Sequence, residues 1–442
     1  MIKLPEQVNK AICLLKNSGF EAYAVGGAVR DCLLGKVPFD WDITTSARPE
    51  ETEKVFCGER IIETGIKHGT VTVIIDDMPL EITTYRIDGD YADHRHPQTV
   101  SFSDNLRDDL SRRDFTINTL CCNCDDKIID AFGGKDDLKN KIIRCVGDPD
   151  TRFSEDALRI MRAVRFSAEL GFKIEKSTSD SILKNRQLLS DVSKERLQVE
   201  FTKLITGKYA TDVIRKYHAV IEVFIPELAP LIECEQHTKY HKYDVFEHTL
   251  HAVDAIDFND RILRLTMFFH DFGKPDAKTT DENGTSHFKG HAVISEKKTR
   301  DILKRLKFDN NTINEVSKLV LIHDMKSPRD KIQAKKMMCS LGDEAYLNLI
   351  KIKRADNMAK ADPHAIDEKL KNMRSFYEEI KASNECYNLK SLEVNGDDIK
   401  AFGIAEGKEI KSSLDFLLNG VIEGKCQNRK DVLLEYLKEN TK

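Results

Sequence analysis

No stretch of this 442-residue chain stays apolar for the roughly 20 residues that a membrane span needs. The first twenty residues, Met1 to Phe20, read as an amphipathic helix with no basic leader ahead of an apolar run, so neither a membrane protein nor a secreted one is expected. Internal repeats and low-complexity tracts are also missing, which sets aside solenoids and long disordered segments. The formal net charge is only -5, so no global excess of positive charge announces a nucleic-acid partner. The eleven cysteines are odd in number and scattered, and Cys121, Cys122 and Cys124 lack the second Cys or His pair of a zinc finger. Reduced thiols in a cytoplasmic protein are expected, with that cluster on a buried strand.

What is present suits a soluble multidomain chain, with 40% apolar and 32% charged residues. Residues 1–145 mix short β-rich runs with helical stretches, and the texture then turns helical. The expected fold class is therefore α+β multidomain: a mixed sheet with helices in front, and all-helical segments over 146–225, 226–380 and 381–442. Nine of the thirteen histidines fall between His218 and His323, which marks the third segment as a module of its own. Charge is also local: Arg107, Arg112 and Arg113 form one basic cluster, and Arg144, Arg152, Arg159, Arg162 and Arg165 another. Both are candidate phosphate contacts.

Tyr23 to Asp31 reads as strand, glycine turn, helix. The paired Gly26 and Gly27 allow close backbone approach to a phosphate, with the helix N-terminus behind them, although most such turns only connect elements. Asp40-Trp41-Asp42-Ile43-Thr44 reads as a strand whose alternation puts both aspartates on one face. Like charges so placed suit a divalent cation between them, where the plain alternative is a solvated strand edge. Glu81 is a third acid, on a strand otherwise apolar and β-branched, where an unpaired charge would be costly.

The pattern Gly26-Gly27-x-x-Arg30-Asp31 followed by Asp40-x-Asp42 resembles the signature of polymerase-β-like nucleotidyltransferases, in the branch of bacterial CCA-adding enzymes and poly(A) polymerases. Arg112-Arg113-Asp114-Phe115-Thr116-Ile117-Asn118 is similar to the second motif of that branch. The resemblance implies attack of an RNA 3′-hydroxyl on the α-phosphate of CTP or ATP, with tRNA as acceptor and Mg2+ held by Asp40 and Asp42. It makes Glu81 the third catalytic acid and gives Gly26, Gly27, Arg30 and Arg113 to the triphosphate. It also names the segments: catalytic head 1–145, helical neck 146–225, HD-type metal domain 226–380, tRNA-binding tail 381–442.

Glu155-Asp156-x-x-Arg159 resembles that family's base-reading motif. Asp156 and Arg159, three apart on one helix face, would offer an acceptor and a donor to the Watson-Crick edge, where composition alone suggests a salt-bridged surface helix. The same resemblance gives Arg162 and Arg165 to nucleotide binding. Arg196 and Glu200 also fall on family positions, but an ordinary i,i+4 ion pair explains them equally well. Asp88 to Pro97 is similar to the loop of enzymes that add the final adenosine. Asn395-Gly396-Asp397-Asp398 and Phe402-Gly403-Ile404 look like the family's tRNA-binding end.

His248, His270-Asp271, His291, His323 and Asp356 occur in the order and rough spacing of an HD-type site for one or two transition metal ions that activate water against a phosphate ester. Such a module can also be kept without turnover. The alternatives that remain are a poly(A) polymerase or A-adding enzyme of the same family, and an HD phosphohydrolase whose head merely holds RNA.

Overall fold

Alternation in Thr70–Ile75 puts Val71, Val73 and Ile75 in the core, the period-two pattern of a strand with one face turned inward. The structure, a computed structural model, describes residues 2–63, 65–66, 69–89, 100–404 and 407–440. Seven strands make one mixed sheet: β1 (Ala22–Val25), β2 (Asp42–Thr45), β3 (Arg60–Ile62), β4 (Thr70–Ile75), β5 (Met78–Thr84), β8 (Cys121–Cys122) and β9 (Ile128–Ile129). Their order is β3-β4-β5-β2-β1-β8-β9. A separate hairpin pairs β6 (Arg86–Asp88) with β7 (Val100–Phe102). Residues 90–97 of the loop read as belonging to adenosine addition lie outside the described residues.

β2 is antiparallel to β1 and parallel to β5, with Val25 opposite Asp42 and Asp42 opposite Glu81. The end of β1 therefore meets the start of β2, and the following turn at Gly26 falls beside the first residue of β2. Cys121 and Cys122 are buried in β8 as small apolar side chains, and the cysteines are free. Cys124 lies past the strand, half-buried, where its sulfur accepts from Lys16 Nζ at 3.1 Å.

Two compact units divide the chain: Met1–Ala229 with Arg305–Lys307, and Pro230–Lys304 with Phe308–Lys442. After the sheet, the first unit continues in helices Leu158–Leu170, Lys176–Asn185, Lys194–Ile205 and Ala210–Ile221. A short parallel ladder of β10 (Ile142–Ile143) and β11 (Lys173–Ile174) reaches into the stretch expected to be helical throughout. A second, β12 (Thr279–Thr280) with β13 (Ser286–His287), does so further on. Two-residue strands carry no periodicity, so the sequence pattern cannot register them.

The second unit is built of helices, among them Val245–Asp254, Arg261–Phe269, His291–Arg305, Asn310–Ile322 and Asp343–Met358. Phe268, Phe269 and Phe272 pack edge to face inside it, and Ile399, Leu417, Leu418 and Leu433 fill a smaller core near the carboxyl end. Among the described residues, no helix is long and apolar enough to cross a membrane.

Helix Leu158–Leu170 packs on helix Lys194–Ile205, and across that contact Arg165 Nε meets Glu200 Oε2 at 2.5 Å with both side chains 7% exposed. Removing one partner of a buried pair strands the other charge. Arg165 keeps Glu169 at 2.6 Å, so Glu200→Gln should cost about 2–3 kcal/mol, below the usual loss for a broken buried pair. Urea unfolding should show the midpoint falling in this variant and largely recovering in the double variant Arg165→Met with Glu200→Leu. An unshifted midpoint in Glu200→Gln would refute a stabilising role for the pair.

Candidate functional site

The head sheet brings its acids together by register. Asp42 and Glu81 are directly paired across β2 and β5, so their side chains share one face. That face is open: Glu81 is exposed and Asp42 half-buried. The burial cost expected for Glu81 therefore does not apply, because its side of β5 faces outward. Asp40 precedes the strand, which begins only at Asp42, and is exposed in a stretch without regular structure, next to the buried Trp41. Burial pushes the Asp42 carboxyl up to about 6, and the charges of Glu81 and Asp40 push the same way, against the nearby Arg113 guanidinium. Three acids thus act on one another through space, a potential that favours a bound cation.

The glycine turn completes this corner. Gly26 has φ of +81°, and a Cβ there would stand 3.2 Å from Arg113 Nη1 and 3.7 Å from Asp42 Oδ2. A side chain would thus be strained and would crowd the space between arginine and acid. Gly27 starts helix Gly27–Leu33, from which the buried Arg30 donates to Asn118 Oδ1 at 2.8 Å and to Asp31 at 2.9 Å.

Two buried acids, Asp109, which sequence reasoning passed over, and Asp114, which it named only as part of a motif, hold Arg112, Arg113 and Arg162. Asp109 accepts from Thr44 of β2 at 2.9 Å and from Arg112 at 2.6 Å, with Arg113 at 3.5 Å. Asp114 accepts from Asn118 at 2.9 Å and pairs with Arg162 at 2.6 Å. Its burial favours protonation, but Arg162 and Asn118 prevail and hold the carboxyl down to about 2. Phe166 gathers the guanidiniums of Arg165, Arg30 and Arg162 at 3.9, 4.9 and 5.3 Å from its ring centre. The acids lie inside or beside the Arg112 to Asn118 motif, so their proximity in sequence was the available signal.

The base-reading pair departs from expectation. Helix Pro149–Glu155 ends at Asp156, which has φ of -135° and ψ of 101°, and a new helix starts at Leu158. Asp156 therefore stands outside the helix that carries Arg159, although its carbonyl accepts from the Arg159 amide at 3.0 Å. The Asp156 carboxylate accepts from the Leu158 amide at 3.1 Å, a local bond that competes with helix continuation, and from Arg196 at 3.0 Å. Arg159 donates to Glu155 at 2.7 Å and to the Arg112 carbonyl at 2.7 Å. The i,i+4 explanation of Arg196 and Glu200 is corrected too, since Arg196 reaches Asp156 and Glu200 reaches Arg165 on other segments. Arg165 is committed to two carboxylates and to packing; Arg162, a third exposed, keeps part of its surface open.

In the second unit the histidine series converges. His248, His270 and Asp271 bring ligand atoms within 4.8 Å of one another, as do Asp271, His291 and His323. Asp271 belongs to both groups, with Oδ2 3.1 Å from His270 Nε2 and Oδ1 3.4 Å from His291 Nε2. Asp356 Oδ1 is 3.0 Å from His248 Nε2. Each imidazole has Nδ1 on a backbone carbonyl: His248 on Ala359, His270 on Met267, His291 on Phe288, His323 on Val320. Protonation at Nδ1 turns each Nε2 lone pair inward, the tautomer a metal ligand needs. Nε2 of His291 and His323 are only 3.1 Å apart, and two lone pairs at that distance repel unless a cation or proton lies between. Buried His270 Nε2 and Asp271 Oδ1 lack a hydrogen-bond partner of sound geometry. The donor set of imidazole nitrogens and carboxylate oxygens fits divalent transition ions, and Asp271 is common to both groups.

Two lysines here were not anticipated: Lys274 lies 2.7 Å from Asp271 and Lys360 2.6 Å from Asp356. A cavity of about 420 Å³ borders His323 and Asp356 and is lined by Lys326, Arg329, Lys353 and Lys360. In the tail, Asn395 caps helix Gly396–Ala401, so that motif does local folding work, and Asp398 pairs with Lys430.

Residues 22–144 match the poly A polymerase head domain, residues 171–232 the RNA and SrmB-binding site of polymerase A, and residues 279–437 the tRNA nucleotidyltransferase domain 2. The class is thus that of nucleotidyltransferases built on this head. The CCA-adding enzyme of Bacillus velezensis is 33% identical over 96% of this chain and 95% of its own length. That of Geobacillus kaustophilus is 33% identical over 99% and 97%. A solved structure of the Bacillus stearothermophilus CCA-adding enzyme in complex with CTP is 30% identical, covers 99% of this chain and 97% of its own, and superposes with a TM-score of 0.69. The chain belongs to the family of bacterial CCA-adding enzymes.

The raised Asp42 has a consequence for stability. Ionising it costs the folded chain more than the unfolded one above pH 6, while below pH 4 both states are protonated and the cost is gone. In metal-free protein, Asp42→Asn should therefore stabilise the first unit by about 1–2 kcal/mol at pH 8, a rise of a few degrees in Tm. The gain should shrink as pH falls toward 4, as calorimetry across that range can check; a lower Tm for the variant at pH 8 would contradict it.

Proposed function

We propose that this chain adds CCA to the 3′ end of tRNA from CTP and ATP without a nucleic-acid template. The observation that carries the reading is the register that sets Asp42 beside Glu81, with Arg113 and the Gly26 turn at the same corner. Asp40 and Asp42 would hold Mg2+, with Glu81 as the third acid beside them; when bound, the metal would lower the pKa of the attacking hydroxyl and neutralise the departing pyrophosphate. Gly26 and Gly27 leave room for the triphosphate, and Arg30 and Arg113 give it guanidinium donors. Asp156 and Arg159 would exchange their bonds to Arg196, and to Glu155 and the Arg112 carbonyl, for the base edge as acceptor and donor, with Arg162 and Arg165 as further nucleotide-binding arginines. Residues 1–145 serve as catalytic head, 146–225 as neck, 226–380 as HD-type domain and 381–442 as tRNA-binding tail, in a cytoplasmic protein.

Incubation with tRNA ending at its discriminator base and labelled CTP or ATP, with and without magnesium, tests this reading. Both labels should enter in the presence of magnesium; uptake of A alone would favour an A-adding or poly(A) enzyme. Asp40→Ala combined with Asp42→Ala should lower incorporation at least about 1,000-fold, and retained incorporation would reduce the head to an RNA holder.

A second site is supported by the inward Nε2 atoms and the shared Asp271. His248, His270, Asp271 and Asp356 would hold one divalent transition ion, and Asp271, His291 and His323 another. When bound, such ions supply an activated water for phosphate ester hydrolysis. The lysines and arginine of the adjoining cavity suit an anionic substrate. Elemental analysis of protein loaded with Mn2+ should find two ions per chain beyond those lost with Asp40→Ala and Asp42→Ala. His248→Ala and His323→Ala should each remove one, and Asp271→Ala both; an unchanged metal content in Asp271→Ala would reject the bridged pair.

A further inference from the structure

Directly before Asp40 the chain carries Val37-Pro38-Phe39, three apolar residues in a row. Val37 is 95% and Phe39 102% exposed, whereas no other large apolar side chain among the described residues exceeds the 62% of Val293. Single exposed apolar residues are ordinary. Two fully solvated large side chains flanking a half-buried proline are not, because folding gains nothing from exposing them, and proteins keep such pairs for something that covers them. Pro38, itself half-buried, fixes its own φ and biases Val37 toward extended backbone, which limits the conformations of the run. Phe39 itself lies at a bend between the helix Gly27–Leu33 and the start of β2.

Position says what would cover it. Consecutive Cα atoms are about 3.8 Å apart, so whatever meets the Asp40 carboxylate comes within a side chain's reach of Phe39. In nucleotidyl transfer that visitor is the ribose bearing the attacking hydroxyl, with its base attached. We infer that Phe39 is a stacking platform for the terminal nucleoside of the acceptor RNA, an inference that rests on Asp40 and Asp42 as the metal-binding pair. The chemistry separates this occupant from the incoming nucleotide. Choosing between C and A requires hydrogen-bond donors and acceptors, and a phenyl ring has neither. The acceptor's last base, by contrast, changes with every addition. A π face serves each base in turn because all bases stack.

The test uses the full chain with Phe39→Ala and Phe39→Trp. With tRNA ending in CC varied at saturating ATP, Phe39→Ala should raise KM for tRNA about 10-fold, while KM for ATP stays within about two-fold and Phe39→Trp restores the wild-type value. A fluorescent 2-aminopurine at the acceptor terminus should be quenched on binding to wild type and to Phe39→Trp, and not on binding to Phe39→Ala. Thermal melting should be unaltered, since the ring makes no buried contact. Unchanged KM for tRNA with the quench retained, a rise in KM for ATP alone, or a fall in Tm would each overturn the inference. If Asp40→Ala with Asp42→Ala still transfers nucleotides, it is the underlying reading of the acids that fails, independently of Phe39.

Discussion

Strand register in the head sheet is the constraint on which the transferase corner depends. Side chains alternate with period two, so a slip of one residue in β2 would carry Asp42 to the opposite face and break its pairing with Glu81. The slip is prevented from both sides. Ile43 and Ile82 are paired in the same register and fully buried, so moving either into water would forfeit about 1.5–3 kcal/mol each. Thr44 adds a directional bond to the buried Asp109, which in turn holds Arg112 and Arg113. The hydrophobic pattern thus sets the place of the charges, and the charges alone could not.

Around that corner, positive charge is rationed by buried carboxylates. Asp109 and Asp114 orient arginines that would otherwise be drawn to the nearest acid, including the exposed Asp40 and Glu81. Such scaffolding is worth more than its stability, because a guanidinium fixed in direction meets a phosphate without first losing rotamer freedom. Phe166 contributes in the same sense, its ring meeting guanidiniums that come from two different helices.

The fold class and the acids were legible because they follow from short-range rules: strand periodicity, glycine before a helix, carboxylates two apart. The histidine series was legible in order, but its convergence required five helices that meet only in three dimensions. Asp109, Asp114, Lys274 and Lys360 were not singled out, since a charged residue in sequence looks the same whether it is solvated or buried against a partner. The exposed face of β5 was misjudged at Glu81 because alternation gives a residue's side without saying which side the core takes. Asp156 was misplaced for a different reason: the motif reads as helical throughout, yet an aspartate able to bond the amide two residues on can end one helix and start the next.

That interruption changes what the residue can do. A carboxylate set within a regular helix turns only if the helix turns, at the expense of backbone bonds. At a joint, its direction is governed by a few local contacts, chiefly the half-exposed bridge to Arg196, whose exchange with water costs about 1 kcal/mol. Thermal motion covers such a difference, so one aspartate can meet two differently shaped partners while the helices on either side stay intact.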